Sequence, residues 1–431
     1  MTTLRALRRV PLLAMYAGVA SQVSTPQRTY CNRHERGAFS TGDYKIKVRA
    51  GSANTRRGAG GVAPKKDFSN FIIVSGTANT ALSNSICSEL GTTVAPVEVT
   101  RFSDGEITCI INESVRGKDV YLVQSFGSPV NDNIMELLLT ITALRRSGAN
   151  SITAVIPYYG YKFHRNRGMP ISTTHQSRFL WNAAGDVAKM LATCGVDKVV
   201  SVDLQRPGQS QEATFFQGSV PVETIDSNSL FVSYFEKLEG LGTEHKRVVV
   251  LSPNTEFVKK AKRFQRKLQE KVGKDITIDY AAFLDDEIND QGLLGGDERQ
   301  SLVKAAEEEL LLGDVQDAEV IIIDDIVESG LGLAQLCRRL VRAGAVKINV
   351  CASHGVFSQN SMELIDLSMV DRVVVTDSLP LPKNVKVSKK IVQLSVAPLL
   401  SRVIETELFQ HSNKDGDAQE EVDVLTDEEE D

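Results

Sequence analysis

Two stretches of the chain repeat one another. KDVYLVQSFGSPVNDNIMELLLTITALRRSGANSITAVIPYYG (118–160) runs from an apolar strand through a loop and a helix to a Gly-Ala turn and a second strand. AEVIIIDDIVESGLGLAQLCRRLVRAGAVKINVCASHG (318–355) does the same, with RRSGA matching VRAGA. Apolar runs alternating with helical patterns mark parallel strands joined by crossover helices. Strands are predicted over 71–76, 119–125, 151–157, 198–203, 247–252, 319–324, 347–355 and 372–378. The simplest organisation is α/β: two domains of one ancestry, 68–225 and 226–405, each a mainly parallel sheet flanked by helices. Ligands of such sheets sit beyond the carboxyl ends of the strands, where both repeated loops fall.

The two ends of the chain differ from this body in charge. Residues 1–62 carry nine Arg and two Lys against Glu35 and Asp43, a net +9, whereas 413–431 carry ten acids against Lys414, a net −9. The whole chain is −6, so the middle is about −6 as well, which argues against a broad nucleic-acid-binding face. The first 34 residues hold five Arg, no acid and a short apolar stripe, the composition of a mitochondrial presequence, with a disordered basic extension or a plastid transit peptide as the other readings. We therefore expect 1–62 to be a basic presequence and linker, and 413–431 an acidic disordered tail. No apolar run reaches the roughly 18–20 residues of a membrane span. The six cysteines form no CxxC pair and read as reduced, mostly buried thiols.

The second repeat contains the segment with most chemical content. Asp324 and Asp325 are expected to end a strand, and Ser329, Gly330, Leu331 and Gly332 lead into a helix. Glycines let backbone N–H groups converge on an anion, and a helix N-terminus adds partial positive charge. An acidic pair in such a loop suits ribose hydroxyls or metal-bound water. A simple Asx-rich helix cap is the alternative.

Over about residues 70–405 the chain resembles the phosphoribosyl pyrophosphate synthetase (ribose-phosphate pyrophosphokinase) family. The resemblance rests on SGTANTALSNSI, RFSDGEITCIINESVRGKDVYLVQS, VNDNIMELLLTITALRRSGA, ITAVIPYYGY, VVSVDL and SHGVFS, in the family's order. It implies two tandem phosphoribosyltransferase-like domains, an oligomer, and transfer of a diphosphoryl group from Mg-ATP to ribose 5-phosphate. It also implies a nucleotide contact for Phe102, Asp104 and Glu106, made from a neighbouring subunit. Asp324, Asp325, Glu328, Ser329, Gly330 and Gly332 would form the ribose-phosphate loop, and Asp203 the metal site.

Several family positions are not matched. Phe163 and His164 stand where the family holds ATP with Arg and Gln, and Gln205 stands where a His organises the metal. Glu256 and Phe257 replace paired glycines that wrap the pyrophosphate, and a charged side chain there crowds and repels it. In the flexible catalytic loop, Asp285, Asp286, Glu287 and Asp290 replace a Lys and an Arg. Diphosphoryl transfer depends on positioned cations, so losing them costs orders of magnitude in rate. The 5-phosphate loop lacks its last threonine, and weakened binding is expected there.

We therefore expect no intact catalytic set and a mitochondrial pseudoenzyme, self-associating or paired with a synthetase paralogue or another mitochondrial protein. Magnesium and ATP would be cofactors only if activity remains. Two other readings stay open. One is an active, divergent synthetase using Lys259, Lys260, Lys262 and Arg263 as replacement cations. The other is a nucleotide- or RNA-binding module built on 162–167 and 259–274.

Overall fold

The apolar runs fold into two sheets that share a core. The computed structural model describes residues 70–161, 183–204, 216, 220–242, 247–273, 276–284, 310–358 and 361–412. All of these lie in one compact unit, Lys65–Asp431. The segments 1–62 and 413–431, residues 162–167, Gln205 and the acidic run 285–290 lie outside the described residues.

The first half contains β1 (Phe71–Ser75), α1 (Thr80–Leu90), the strands β2 (Val97–Arg101) and β3 (Ile107–Ile111), β4 (Asp119–Val123), α2 (Val130–Arg146), β5 (Ser151–Ile156), α3 (Ala183–Cys194), β6 (Lys198–Val202) and β7 (Val222–Ile225). The second half contains α4 (Asn228–Glu236), β8 (Arg247–Ser252), a 3-10 turn (Thr255–Phe257), α5 (Val258–Val272), β9 (Thr277–Leu284) and β10 (Leu310–Leu312). It continues with β11 (Glu319–Val327), α6 (Leu331–Arg342), β12 (Lys347–Gly355), α7 (Ser361–Leu367), β13 (Arg372–Thr376), α8 (Lys383–Lys386), β14 (Ile391–Leu394) and α9 (Ala397–Ser412).

Among the described residues β1-β4-β5-β6-β7 form a five-stranded parallel sheet. A seven-stranded sheet runs β10-β9-β8-β11-β12-β13-β14, parallel except at the β10 edge. The fold is thus α/β, with parallel sheets flanked by helices. The β2–β3 hairpin stands apart as its own antiparallel pair.

Alternation along each strand decides which layer a side chain enters. Phe71 and Ile73 face one way, with Tyr121, Val123, Val200 and Val202, into a core shared with Val248, Val250, Ile321 and Ile323 of the other sheet. Helices α1, α4, α5 and α9 contribute Leu82, Phe235, Phe264 and Leu400 to it. Ile72 and Val74 face the opposite way, toward α2 and α3. On the second sheet Val249, Leu251, Val320 and Ile322 likewise turn toward α6 and α7.

Polar contacts reinforce the join between the halves. Asn79 Nδ2 donates to the Asp377 carbonyl at 2.7 Å, and Ser125 Oγ to the Ser378 carbonyl at 2.6 Å. Lys198 pairs with Glu223 at 2.6 Å and with Glu407 of α9. Cys87, Cys109, Cys194, Cys337 and Cys351 are free thiols. No helix among the described residues is long and apolar enough to cross a membrane.

One strand differs from the sequence expectation in a way that matters. Position 324 does not end β11, which continues to Val327 because β12 runs beside it as far as Gly355. The acidic pair therefore sits inside a strand. The short or half-exposed strands β2, β3, β7, β10 and β14 carry too little apolar pattern to be read from sequence, and β9, though longer, is interrupted by Asp279.

The shared core makes a direct prediction. Phe264 is fully buried, with its ring 6.3 Å from that of Phe235. Phe264→Ala should cost about 3–5 kcal/mol in urea unfolding. Because one core serves both sheets, the loss should appear as a shift of one transition, not as early melting of half the molecule.

Candidate functional site

The site is assembled at the carboxyl ends of β6, β8, β11 and β12. Gly330 caps α6 with φ +73°, and a Cβ there would lie 3.0 Å from the Ser361 carbonyl oxygen. This explains the glycine: only a residue without Cβ takes that backbone angle against α7. Ser329 Oγ accepts from Leu331 N at 3.3 Å, and the Glu328 carbonyl accepts from Ser358 N at 2.9 Å. Among the described residues no atom outside the local backbone lies within 4 Å of the place a Cβ would take at Gly332. A cavity of about 390 Å³ opens here, lined by Asp324, Glu328, Ser329, Gly330 and Gly332, with Arg339 farther along α6.

The two aspartates face different surroundings. Asp324 lines that cavity, and its Oδ1 accepts from Asp325 N at 2.7 Å. Burial pushes its carboxyl up to about 6, with the neighbouring Asp325 charge adding to the rise. Asp325 is 1% exposed and turns to the other side, where its Oδ1 accepts from Lys260 Nζ at 2.9 Å. The strand, continuing through the pair, separates two carboxylates that the sequence reading had placed in one grip.

Lys260 is the residue the sequence reading misplaced. Offered there as one of four replacement cations for the phosphates, it projects inward from α5, its side chain 9% exposed, and also lies 3.5 Å from Asp203 Oδ2 and 3.1 Å from Ser353 Oγ. Ser227 Oγ and Ser353 Oγ both donate to the same Asp203 oxygen. Burial opposes charge on Lys260, but Asp203 and Asp325 outweigh it and hold the ammonium protonated. Burial also opposes the Asp203 charge, and Lys260 with the two serines overcomes it, holding that carboxyl at about 2. A signal was available: 260 stands three residues after buried Phe257 and four before Phe264, on the inward stripe of the helix.

Asp203 therefore does not fit the role of magnesium ligand. Its surroundings are an ammonium and two hydroxyl donors, whereas magnesium demands close oxygen acceptors in octahedral array. No group of three or more His, Cys, Asp or Glu could hold a metal among the described residues.

The turn after β8 is closed by its own side chain. Asn254 Oδ1 accepts from Glu256 N at 3.0 Å and Phe257 N at 3.3 Å, and Phe257 is buried. These amides occupy the positions at which the family resemblance implied a pyrophosphate wrap.

Phe102, Asp104 and Glu106 lie together at the β2–β3 turn. Asp104 Oδ1 accepts from Glu106 N at 3.0 Å, Gly105 has φ +97°, and the Phe102 ring is 59% exposed. No hydrogen bond or ion pair among the described residues joins this turn to the 328–332 loop.

The raised Asp324 carboxyl has a defined pH signature. Its contribution to stability is complete below about pH 4, the ordinary carboxylate value, and is lost as pH rises through about 6. Asp324→Asn should match the wild type at pH 4 and exceed it at pH 7.5 by up to about 2–3 kcal/mol. Urea titrations at the two pH values measure this.

Comparison with known proteins agrees with this architecture. Residues 71–195 match the N-terminal domain of ribose phosphate pyrophosphokinase, and residues 298–413 match the phosphoribosyl synthetase-associated domain. The chain is 34% identical over 338 residues to ribose-phosphate pyrophosphokinase of Campylobacter jejuni, covering 78% of this chain and 94% of that protein. It is 35% identical over 344 residues to the Thermotoga maritima protein of the same name, covering 78% and 95%. The crystal structure of phosphoribosylpyrophosphate synthetase from Mycobacterium smegmatis superposes with a TM-score of 0.62 at 28% identity, covering 79% of this chain and 99% of that one. Tandem parallel sheets, the glycine-capped loop and relatives aligned over nearly their whole length lead to one assignment: the chain belongs to the ribose-phosphate pyrophosphokinase family.

Proposed function

We propose that this chain is a catalytically impaired member of its family, serving in the mitochondrion as a regulatory or structural subunit. The observation that carries the proposal is the turn at 254–257, where Asn254 already occupies the amides a pyrophosphate would need. Diphosphoryl transfer asks the protein mainly for positioned amides and cations around the phosphates. Here the amides are satisfied internally, and Glu256 adds negative charge beside them.

The unmatched residues point the same way. Phe163, His164, Gln205 and the acids 285–290 supply no replacement charge. The nearby cations that an active, divergent enzyme would recruit are mostly engaged. Lys260 is buried between two aspartates, Lys262 lies 5.4 Å over the Tyr280 ring, and Arg263 is 3.6 Å from Asp226. The same engagements weaken the case for an RNA-binding face on α5.

What remains suits assembly. The loop at 328–332 retains a glycine cap and a hydroxyl for weak ribose-phosphate binding, and the exposed Phe102 turn suits a neighbouring subunit. Self-association, or association with an active paralogue, follows from that surface. Mitochondrial placement rests on the arginine-rich, acid-free first 34 residues.

The test is diphosphoryl transfer by the purified chain with Mg-ATP and ribose 5-phosphate, run beside an active relative and an Asp324→Asn control. We expect turnover at least ~10³-fold below the relative, with no Asp324-dependent product. Robust product that disappears in a folded Asp324→Asn overturns the proposal. In the same preparation, light scattering should show an oligomer that Phe102→Glu weakens.

A further inference from the structure

Side chains from both halves meet around one ammonium, three of them touching it and Ser227 reaching it through Asp203. Lys260 comes from α5, Asp325 from β11 and Ser353 from β12, while Asp203 follows β6 and Ser227 precedes α4. An ammonium has three protons to give. The atoms within reach of Lys260 Nζ are three acceptors: Asp325 Oδ1 at 2.9 Å, Ser353 Oγ at 3.1 Å and Asp203 Oδ2 at 3.5 Å. The side chains of Lys260, Asp203 and Asp325 are 9%, 10% and 1% exposed.

Two buried carboxylates facing one another need a positive charge between them, or one takes up a proton. In this chain the charge is attached to the backbone by a four-carbon stem, at a fixed place on a packed helix. A dissolved divalent ion would have to expel that ammonium into an apolar interior, at the cost of an unpaired buried charge. It would also find two serine hydroxyls already turned toward Asp203 as donors, where magnesium needs acceptors.

We infer that Lys260 is a built-in cation that takes the place of a divalent metal between Asp203 and Asp325, so that this junction is closed to metal. The inference deepens the reading of the chain as catalytically impaired, and it assigns Lys260 a positioning role: holding Asp203 and Asp325 of the two sheets at a fixed separation. It also specifies what would restore a metal site. Shortening Lys260 leaves two carboxylates, two hydroxyls and the volume of the lost side chain, a set suited to a small divalent cation with water.

Manganese is the probe, read by thermal unfolding of the full chain and by electron paramagnetic resonance of the bound ion. Wild type should show the same melting temperature in chelator and in millimolar Mn²⁺, and no bound signal that depends on Asp203. Lys260→Ala should melt lower in chelator, regain several degrees with Mn²⁺, and bind about one equivalent. Adding Asp203→Asn should abolish that gain. Lys260→Arg, which keeps the charge, should stay unresponsive.

A wild-type manganese site lost in Asp203→Asn overturns the inference. So does a folded Lys260→Ala that ignores the metal. If Lys260→Ala does not fold, Lys260→Gln, which retains length but not charge, must show the gain instead, and its silence is equally fatal. Product in the transfer assay would sink the catalytic reading while leaving the metal titration to be judged separately.

Discussion

The buried ammonium of Lys260 is the contact on which the two halves of this molecule agree. An apolar core alone would let two sheets slide, because hydrophobic burial has no direction. A charge held at 2.9 Å from Asp325 and within 3.5 Å of Asp203 has both direction and distance. It sits where α5 and the ends of β6, β11 and β12 meet, so it sets their separation at the place where a ligand would enter. Such a network is costly to break, since removing one partner strands the others without water.

Around that point the layering follows from ordinary packing. Parallel strands buried on both faces demand helices on both sides, and the shared layer of α1, α4, α5 and α9 serves two sheets at once. The α9 helix matters beyond its apolar stripe. Ser401 Oγ reaches the Ile86 carbonyl at 3.4 Å, and Glu407 pairs with Lys198, so the end of the second half is fastened to the first.

The main strands and the repeat were legible in the sequence because they are long, apolar and bounded by turn residues. The Gly330 cap was legible because a serine-glycine pair before an amphipathic helix has few other uses. What escaped was tertiary. Lys260 looks like one cation among seven between 259 and 271, and only its place on the Phe257–Phe264 stripe marks it as inward. Asp203 read as a strand end with metal potential because its partners Ser227, Lys260 and Ser353 are 24, 57 and 150 residues away. Asp324 and Asp325 read as a pair because strand length is set by the neighbour, β12, and not by the acids themselves.

Self-satisfaction of polar groups gives these departures a common physical basis. A binding loop keeps backbone amides and carboxylates waiting for a ligand, and those waiting groups are a standing cost to the free protein. At 254–257 an asparagine has taken over the amides, and at 203 and 325 a lysine has taken over the carboxylates. Each pairing satisfies inside the chain a group that would otherwise wait for solvent or a ligand. The satisfaction is incomplete: Asp325 Oδ2 is buried without a hydrogen-bond partner among the described residues, and Asp324 faces the cavity with a carboxyl that burial pushes up to about 6. Both carboxylates lie one residue apart on the same strand, so the side of β11 each one faces decides whether it meets a lysine or the cavity beside the Gly330 cap.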